Sequence, residues 1–353
     1  MAYRDLEAGK AMEPKASTLL GLAAAFSVGV DELLRSAPRL RHVRFRSSKQ
    51  MKNREQILVD VDRWLRDFNG VEDVLEEERD FRLATIRQQV APGLVEAGGR
   101  ASKAARLARE FLGLKPKEPV RDICGLLEAA GVKVYPIQVQ TDAFFGLSVG
   151  EEDGGPAIAV NTWNKISVER WIFSAAHELG HLLLHQGAYD VSEAHENKGE
   201  EEEANLFAAH FLMPDEGFNN EWFDSMGMRL VDRVMKVKRI FRVSYKTVLY
   251  RLDQRAKSNP DWKPSDSFFV RFQVEFKRRH GHGLSKADEP LGLPTEAFRT
   301  KEPDHLLPSD FAEDRLCTLV RMAIERNEIS LGRGAEILRV SLAEMRDLAT
   351  SWV

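Results

Sequence analysis

Apolar residues recur at helical spacing along most of this chain and alternate in one short central region. Leu19, Leu20, Leu22, Ala23 and Phe26 predict a helix within 17–34. Gly29 interrupts it, and Asp31 can cap a turn ending at Leu33 and Leu34. Ile57, Leu58, Val61, Trp64 and Leu65 share one face of a helix over 53–68, and a further helix is expected over 71–90. Pro92-Gly93 and Gly98-Gly99 break the chain. Two more helices, 101–113 and 119–130, follow, the second closed by Gly131. Val132, Val134 and Ile137 then alternate as a strand does, and 145–149 and 157–160 read as two further strands. The Glu151-Glu152-Asp153-Gly154-Gly155 run between them predicts a hairpin turn. A long apolar helix over 167–186, an acidic loop and a helix over 200–213 come next, and Pro214 ends that helix. Residues 228–256 are helical in pattern, 257–311 carry prolines and glycines and read as irregular, and 312–352 read as two or three helices.

The pattern predicts a mostly helical α+β protein. Its expected divisions are 1–35, a basic linker with a helical segment at 36–98, a core at 99–214, a helical extension at 215–256, a linker at 257–311 and a C-terminal helical segment at 312–353. The 353 residues allow two or three small domains. The 43% apolar and 30% charged composition allows a substantial core, and a net charge of −4 gives no overall attraction to nucleic acid. A local exception is the basic run Arg35, Arg39, Arg41, Arg44, Arg46, Lys49, Lys52 and Arg54, which can touch phosphate or lie as a solvated linker against the acidic loop. Cys124 and Cys317 lack metal-ligand spacing and read as reduced thiols of a cytoplasmic protein. No apolar run reaches the roughly 18 residues of a membrane span, so no membrane partner is expected.

Chemistry concentrates in His177-Glu178-Leu179-Gly180-His181. Histidines four apart on a helix present two imidazoles on one face, the arrangement that grips one Zn²⁺. Glu178 is placed as general base toward a water that the metal acidifies. The apolar flanks from Trp171 to Ala176 and from Leu182 to Leu184 predict burial, where such polar groups are costly without a partner. Gly180 allows a close backbone approach. Gly187 stands where the metzincin pattern requires a third histidine, which excludes that class. His185 lies two turns from His177 and His195 sits in the polar loop, so both are expected to be solvated. A third ligand is expected from the next helix. At about 100° per residue, Glu201 shares a face with Ala204, Asn205, Ala208, Phe211 and Leu212, whereas Glu203 points with Leu206, Phe207 and His210. Glu201 is therefore the expected ligand and Glu200 the alternative. Asn205 can hold a zinc histidine through a hydrogen bond. An acidic first turn is also what the helix dipole alone favours.

VNTWNKISVERWIFSAAHELGHLLLH followed by EEEEANLFAAHFLMP resembles the ImmA/IrrE family of bacterial metallopeptidases. The similarity runs over about 100–253, from Phe144–Leu147 to the stretch Phe241–Val248. It implies a gluzincin-like zinc peptidase core of a small sheet and the HExxH helix, flanked by helical segments. It also implies one Zn²⁺ per chain on His177, His181 and Glu201, with Glu178 as general base. Cleavage of a partner transcriptional repressor or antitoxin-like protein encoded nearby is implied too, releasing a stress or mobile-element response. Residues 1–35 resemble part of an Xre/Cro-type helix-turn-helix: Tyr3–Lys10 match the end of a recognition helix, and Thr18–Leu34 match the two closing helices. The first two helices of that motif are missing, so its usual docking in the major groove is not expected to form intact. The 328–344 stretch has the cadence of a second small helix-turn-helix, with a turn at Val340-Ser341. Two functions follow: a zinc endopeptidase acting on a regulatory partner, or a DNA-binding regulator whose zinc site is sensory or structural. An intact Glu178 favours the first, because a structural site needs no base.

Overall fold

A computed structural model describes residues 14–26, 42–47, 54–91, 99–185, 197–257, 267–285, 288–291 and 302–352, together with residues 30, 40 and 263. A four-stranded sheet lies at the centre: β1 (Val43–Ser47), β2 (Lys133–Ile137), β3 (Phe144–Val149) and β4 (Ala157–Asn161). Its spatial order is β1-β3-β4-β2. β3 pairs antiparallel with both β1 and β4, while β2 and β4 run parallel. The expected hairpin forms, with Gly154 left-handed at φ 86° in its turn.

Side-chain alternation makes the sheet a wall between two apolar clusters. Val134, Ile158 and Val160 face one cluster, which holds Ala175, Ala176 and Leu179 of the HExxH helix and Phe207, Ala208 and Phe211 of the helix after it. Tyr135, Leu147, Val149, Ala157 and Ala159 face the other, with Trp64, Leu65 and Phe68. Trp64 stacks on Tyr135 at 4.6 Å between ring centres. Trp64 and Phe68 belong to α2 (Arg54–Leu75), which comes after α1 (Ala16–Phe26) and β1 in the chain. α2 runs unbroken past the expected boundary at 68, because Phe68, Val71 and Leu75 continue its buried stripe. The helix expected over 71–90 is replaced by this extension and the short α3 (Ala84–Gln89).

α4 (Arg100–Phe111) and α5 (Ile123–Ala129) precede the sheet's central strands. α6 (Val168–Leu184) carries HExxH and α7 (Lys198–Leu212) carries the glutamate run. Nearly every residue of α6 is buried, as expected for a helix enclosed on all sides. α8 (Asp215–Asp224) follows Pro214. The helical 228–256 region is two helices, α9 (Leu230–Phe241) and α10 (Tyr245–Ala256), divided at Arg242, which is left-handed at φ 53°. The stretch expected to be irregular contains α11 (Phe268–His280), whose Phe272 and Phe276 are buried. These residues make it a packed helix of the first cluster rather than linker. The C-terminal segment forms α12 (Arg315–Glu325), α13 (Leu331–Leu338) and α14 (Leu342–Thr350). The last two meet at Arg339-Val340-Ser341, where Ser341 and Glu344 close a capping box. Leu316, Leu319 and Val320 place α12 in the second cluster with α2. Arg315 also donates to Glu72 at 2.5 Å, and Lys133 of β2 reaches the same carboxylate at 3.1 Å.

Most residues of the helix-turn-helix resemblance at 1–35 lie outside those described, as do His195 and most of the acidic loop. Cys124 and Cys317 are free thiols. Among the described residues, no helix is long and apolar enough to cross a membrane.

Candidate metal centre

α6 and α7 pack side by side, and that contact builds the site. Gly180 makes it possible: an added Cβ would lie only 3.0 Å from the Phe207 ring. The close approach anticipated at Gly180 is therefore made by a neighbouring helix. Asn197 caps α7 by accepting from the Gly199 N–H, and Glu201 lies in the first turn, where the helix dipole favours a carboxylate.

His177, His181 and Glu201 converge. The two Nε2 atoms are 2.9 Å apart, and the Glu201 carboxylate oxygens stand 3.3 Å from His177 Nε2 and 3.1 Å from His181 Nε2. Both histidines are fully buried. Their outward nitrogens already have partners. His177 Nδ1 meets Asn205 Oδ1 at 3.1 Å, and His181 Nδ1 meets His185 Nδ1 at 2.9 Å. His185 Nε2 continues to Glu203 at 2.9 Å, and Glu203 is held by Arg100 at 2.9 Å. This chain assigns the tautomers. Nδ1–H of His177 donates to Asn205, while Nδ1–H of His181 donates to His185, which passes its own Nε2–H to Glu203. Both Nε2 lone pairs are then turned toward Glu201.

Burial pushes the His181 imidazole down to about 3, so it is neutral. Burial alone would raise Glu201, but the close approach of the His177 and His181 rings holds it well below the usual carboxylate range. Glu203 also sits below its ordinary value, because His185 and Arg100 outweigh the effect of burial. Two neutral imidazoles and an ionised carboxylate are the ligand forms of these groups. A cation reconciles two facing Nε2 lone pairs and an anion in one largely buried space, and a His₂Glu donor set suits zinc.

Glu178 is fully buried beside this group, and its Oε2 accepts from Ser148 Oγ of β3 at 2.9 Å. Gly146 of β3 backs the same carboxylate, for a Cβ there would lie 3.3 Å from Oε1.

Of the residues singled out in sequence, the structure brings His177, His181, Glu201 and Asn205 together and buries Glu178, the neighbour of His177 in the chain, against β3. It turns Glu200 away, to an ion pair with Arg44. His185 departs from expectation. It is buried at 6% exposure rather than solvated, because the end of α6 is covered by α7 and Arg100, and it supports His181 rather than approaching the ligand cluster. Sequence reasoning missed Arg100, Ser148 and Arg44. Arg44 stood out only as one member of a basic run, and no local pattern marks Arg100 or Ser148, since each reaches the site from a distant part of the chain. Arg44 lies on β1, and its guanidinium contacts both Glu200 and Glu201, the latter at 3.4 Å.

The IrrE N-terminal-like domain, a peptidase family (M78), matches residues 127–253. That span contains β2 to β4, both site helices, α8, α9 and most of α10. The match supports the ImmA/IrrE resemblance for this part of the chain and points to a metallopeptidase-type function. No curated protein matches the chain.

Proposed function

We propose that this chain is a zinc-dependent endopeptidase that cleaves a partner regulatory protein, a transcriptional repressor or antitoxin-like protein encoded nearby. Such cleavage would control a stress or mobile-element response. The observation that carries the reading is the convergence of His177, His181 and Glu201 beside a buried Glu178. A purely structural site has no use for that fourth group.

His177, His181 and Glu201 would hold the zinc, with Asn205 and His185 orienting the two imidazoles. When bound, zinc supplies Lewis acidity, lowering the pKa of water and polarising the scissile carbonyl. Glu178 takes the proton from the attacking water and delivers it to the leaving amine. Ser148 donates to Glu178 Oε2 and so fixes the carboxylate's rotamer. The burial of His177, Glu178 and His181 strengthens these charge interactions over their value in water. A repressor as substrate places the reaction in the cytoplasm.

The test mixes the zinc-loaded protein with the regulator encoded beside it. The expected result is a cut at one bond. Glu178→Gln should keep its zinc and lose cleavage by at least about 100-fold, the lower range of general acid–base contributions. Retained cleavage would remove Glu178 as the base. An uncut neighbour with zinc bound would remove the substrate assignment.

A further inference from the structure

β3 is the strand that lies along Glu178. Its Gly146 backs the carboxylate and its Ser148 hydrogen-bonds it. One edge of β3 is paired to β4, and the other is filled by β1, antiparallel, from Val43↔Val149 to Arg46↔Gly146. β1 comes from the basic stretch, about eighty residues before the matched peptidase span begins at 127. It is held from both faces. Val43 is buried in the second cluster, at 3% exposure. Arg44, opposite Ser148, points the other way and forms ion pairs with Glu200 and Glu201 while only 10% exposed. His42 extends the attachment, its carbonyl accepting from the Gly150 N–H at 2.9 Å.

A protein segment to be cut must reach this site extended, and a sheet edge binds extended chain through main-chain hydrogen bonds. The edge of β3 running past Glu178 offers those donors and acceptors in register with the site. β1 already uses them. Its Arg44 also places a fixed positive charge against the carboxylate that would bind a cation, which opposes metal binding there.

We propose that β1 is an internal occupant of the substrate edge: an extended segment of the substrate replaces residues 43–47 on β3, with an arginine or lysine taking the place of Arg44 against Glu200. This rests on the peptidase reading and deepens it, naming both the class of segment recognised and the element that must leave first. The chain is shut while β1 is docked and opens when a partner's basic strand displaces it. Arg44 is the latch, because it alone ties the inward face of β1 to α7 among the described contacts.

The experiment reads binding, so that it stands apart from catalysis. In zinc-loaded Glu178→Gln protein, a fluorescein-labelled peptide with the sequence of residues 40–49 is titrated by fluorescence anisotropy. Adding Arg44→Ala should tighten peptide binding at least tenfold and speed amide exchange across Phe144–Val149. The same peptide with glutamate in place of its Arg44 should bind at least tenfold more weakly. A second variant, Val43→Cys/Val149→Cys, bridges an opposed pair and locks β1 in place. It should bind peptide only after reduction with a phosphine. It also decides the matter if Arg44→Ala fails to fold. Equal peptide binding by the oxidised and reduced forms, or by proteins with and without Arg44, overturns the inference. Binding with the expected pattern but no cleavage by the Glu178-containing protein supports the occupied edge and counts against the peptidase reading.

Discussion

Replacing Gly180 by alanine sets two physical effects against each other. Alanine in a helix interior is favoured over glycine by up to about 1 kcal/mol, so propensity alone predicts a more stable protein. The structure predicts the reverse. The new methyl would lie 3.0, 3.2 and 3.3 Å from three atoms of Phe207. Carbon atoms at optimal separation sit about 3.5–4.0 Å apart, so α6 and α7 must part by roughly 0.5 Å. The Phe207 ring has no room to turn aside, being fully buried and stacked on Phe211 at 5.7 Å. Overpacking of this kind costs about 1–3 kcal/mol, leaving a net loss of roughly 0–2 kcal/mol after the propensity gain. The greater effect falls on the metal. Glu201 and Asn205 ride on α7, His177 and His181 on α6, and zinc–ligand distances tolerate about 0.2 Å. Zinc affinity should fall by on the order of tenfold or more, as it does when ligand support is disturbed, and a tenfold loss removes about 1.4 kcal/mol of zinc-dependent stabilisation. Competition against a chromophoric chelator gives the affinity, and melting curves with zinc and with EDTA separate the two terms. A Gly180→Ala protein that melts higher in both conditions and keeps its zinc affinity would refute the helix-spacing argument.

Three further outcomes follow from the same geometry. Glu201→Ala should lose zinc outright, whereas Glu203→Ala should weaken it about 10- to 100-fold through His185; equal zinc content in both, measured by metal analysis, would sink the ligand choice. His185→Ala frees His181 Nδ1 and should likewise lower zinc affinity about 10- to 100-fold, while the melting temperature in EDTA changes far less; an unchanged affinity would remove His185 from the site. Away from the metal, burial pushes Glu128 up to about 8, with Glu313 and Asp314 adding to it, and burial with Asp314 pushes Glu313 up to about 7. Both carboxyls are protonated more readily in the folded chain than in the unfolded one. Their contribution is therefore present at pH 4 and is lost as pH rises through 7 to 8. Glu128→Gln should flatten the fall in melting temperature between pH 5 and pH 8; an unaltered profile would contradict it.

The site helices were legible because their chemistry is local. Four-residue spacing forces His177 and His181 onto one face of any α-helix, and the same angular arithmetic separates Glu201 from Glu203 before α7 packs against anything. Asn205 follows from Glu201, one turn on. The apolar flanks of α6 announced its burial, and the alternation at 132–137 with the Gly154-Gly155 turn announced the sheet. The same arithmetic failed for His185. A histidine two turns from His177 is correctly too far to share its ion, but spacing cannot tell whether solvent or Glu203 waits beyond it.

What the tertiary structure decided was the partner of each charge. The basic stretch could be read as touching phosphate or as lying solvated against the acidic loop, because nothing in it states which residue pairs with which carboxylate. β1 becomes a strand only because β3 offers it an edge, and Arg44 becomes part of the site only through Glu200 and Glu201, 156 and 157 residues away. Arg100 similarly reaches Glu203 across 103 residues. Strand pairing and buried ion pairs depend on surfaces that exist only after the core has formed. The sequence by itself therefore determined which side chains form the candidate metal group, His177, His181 and Glu201, and folding alone determined what supports them and what covers them.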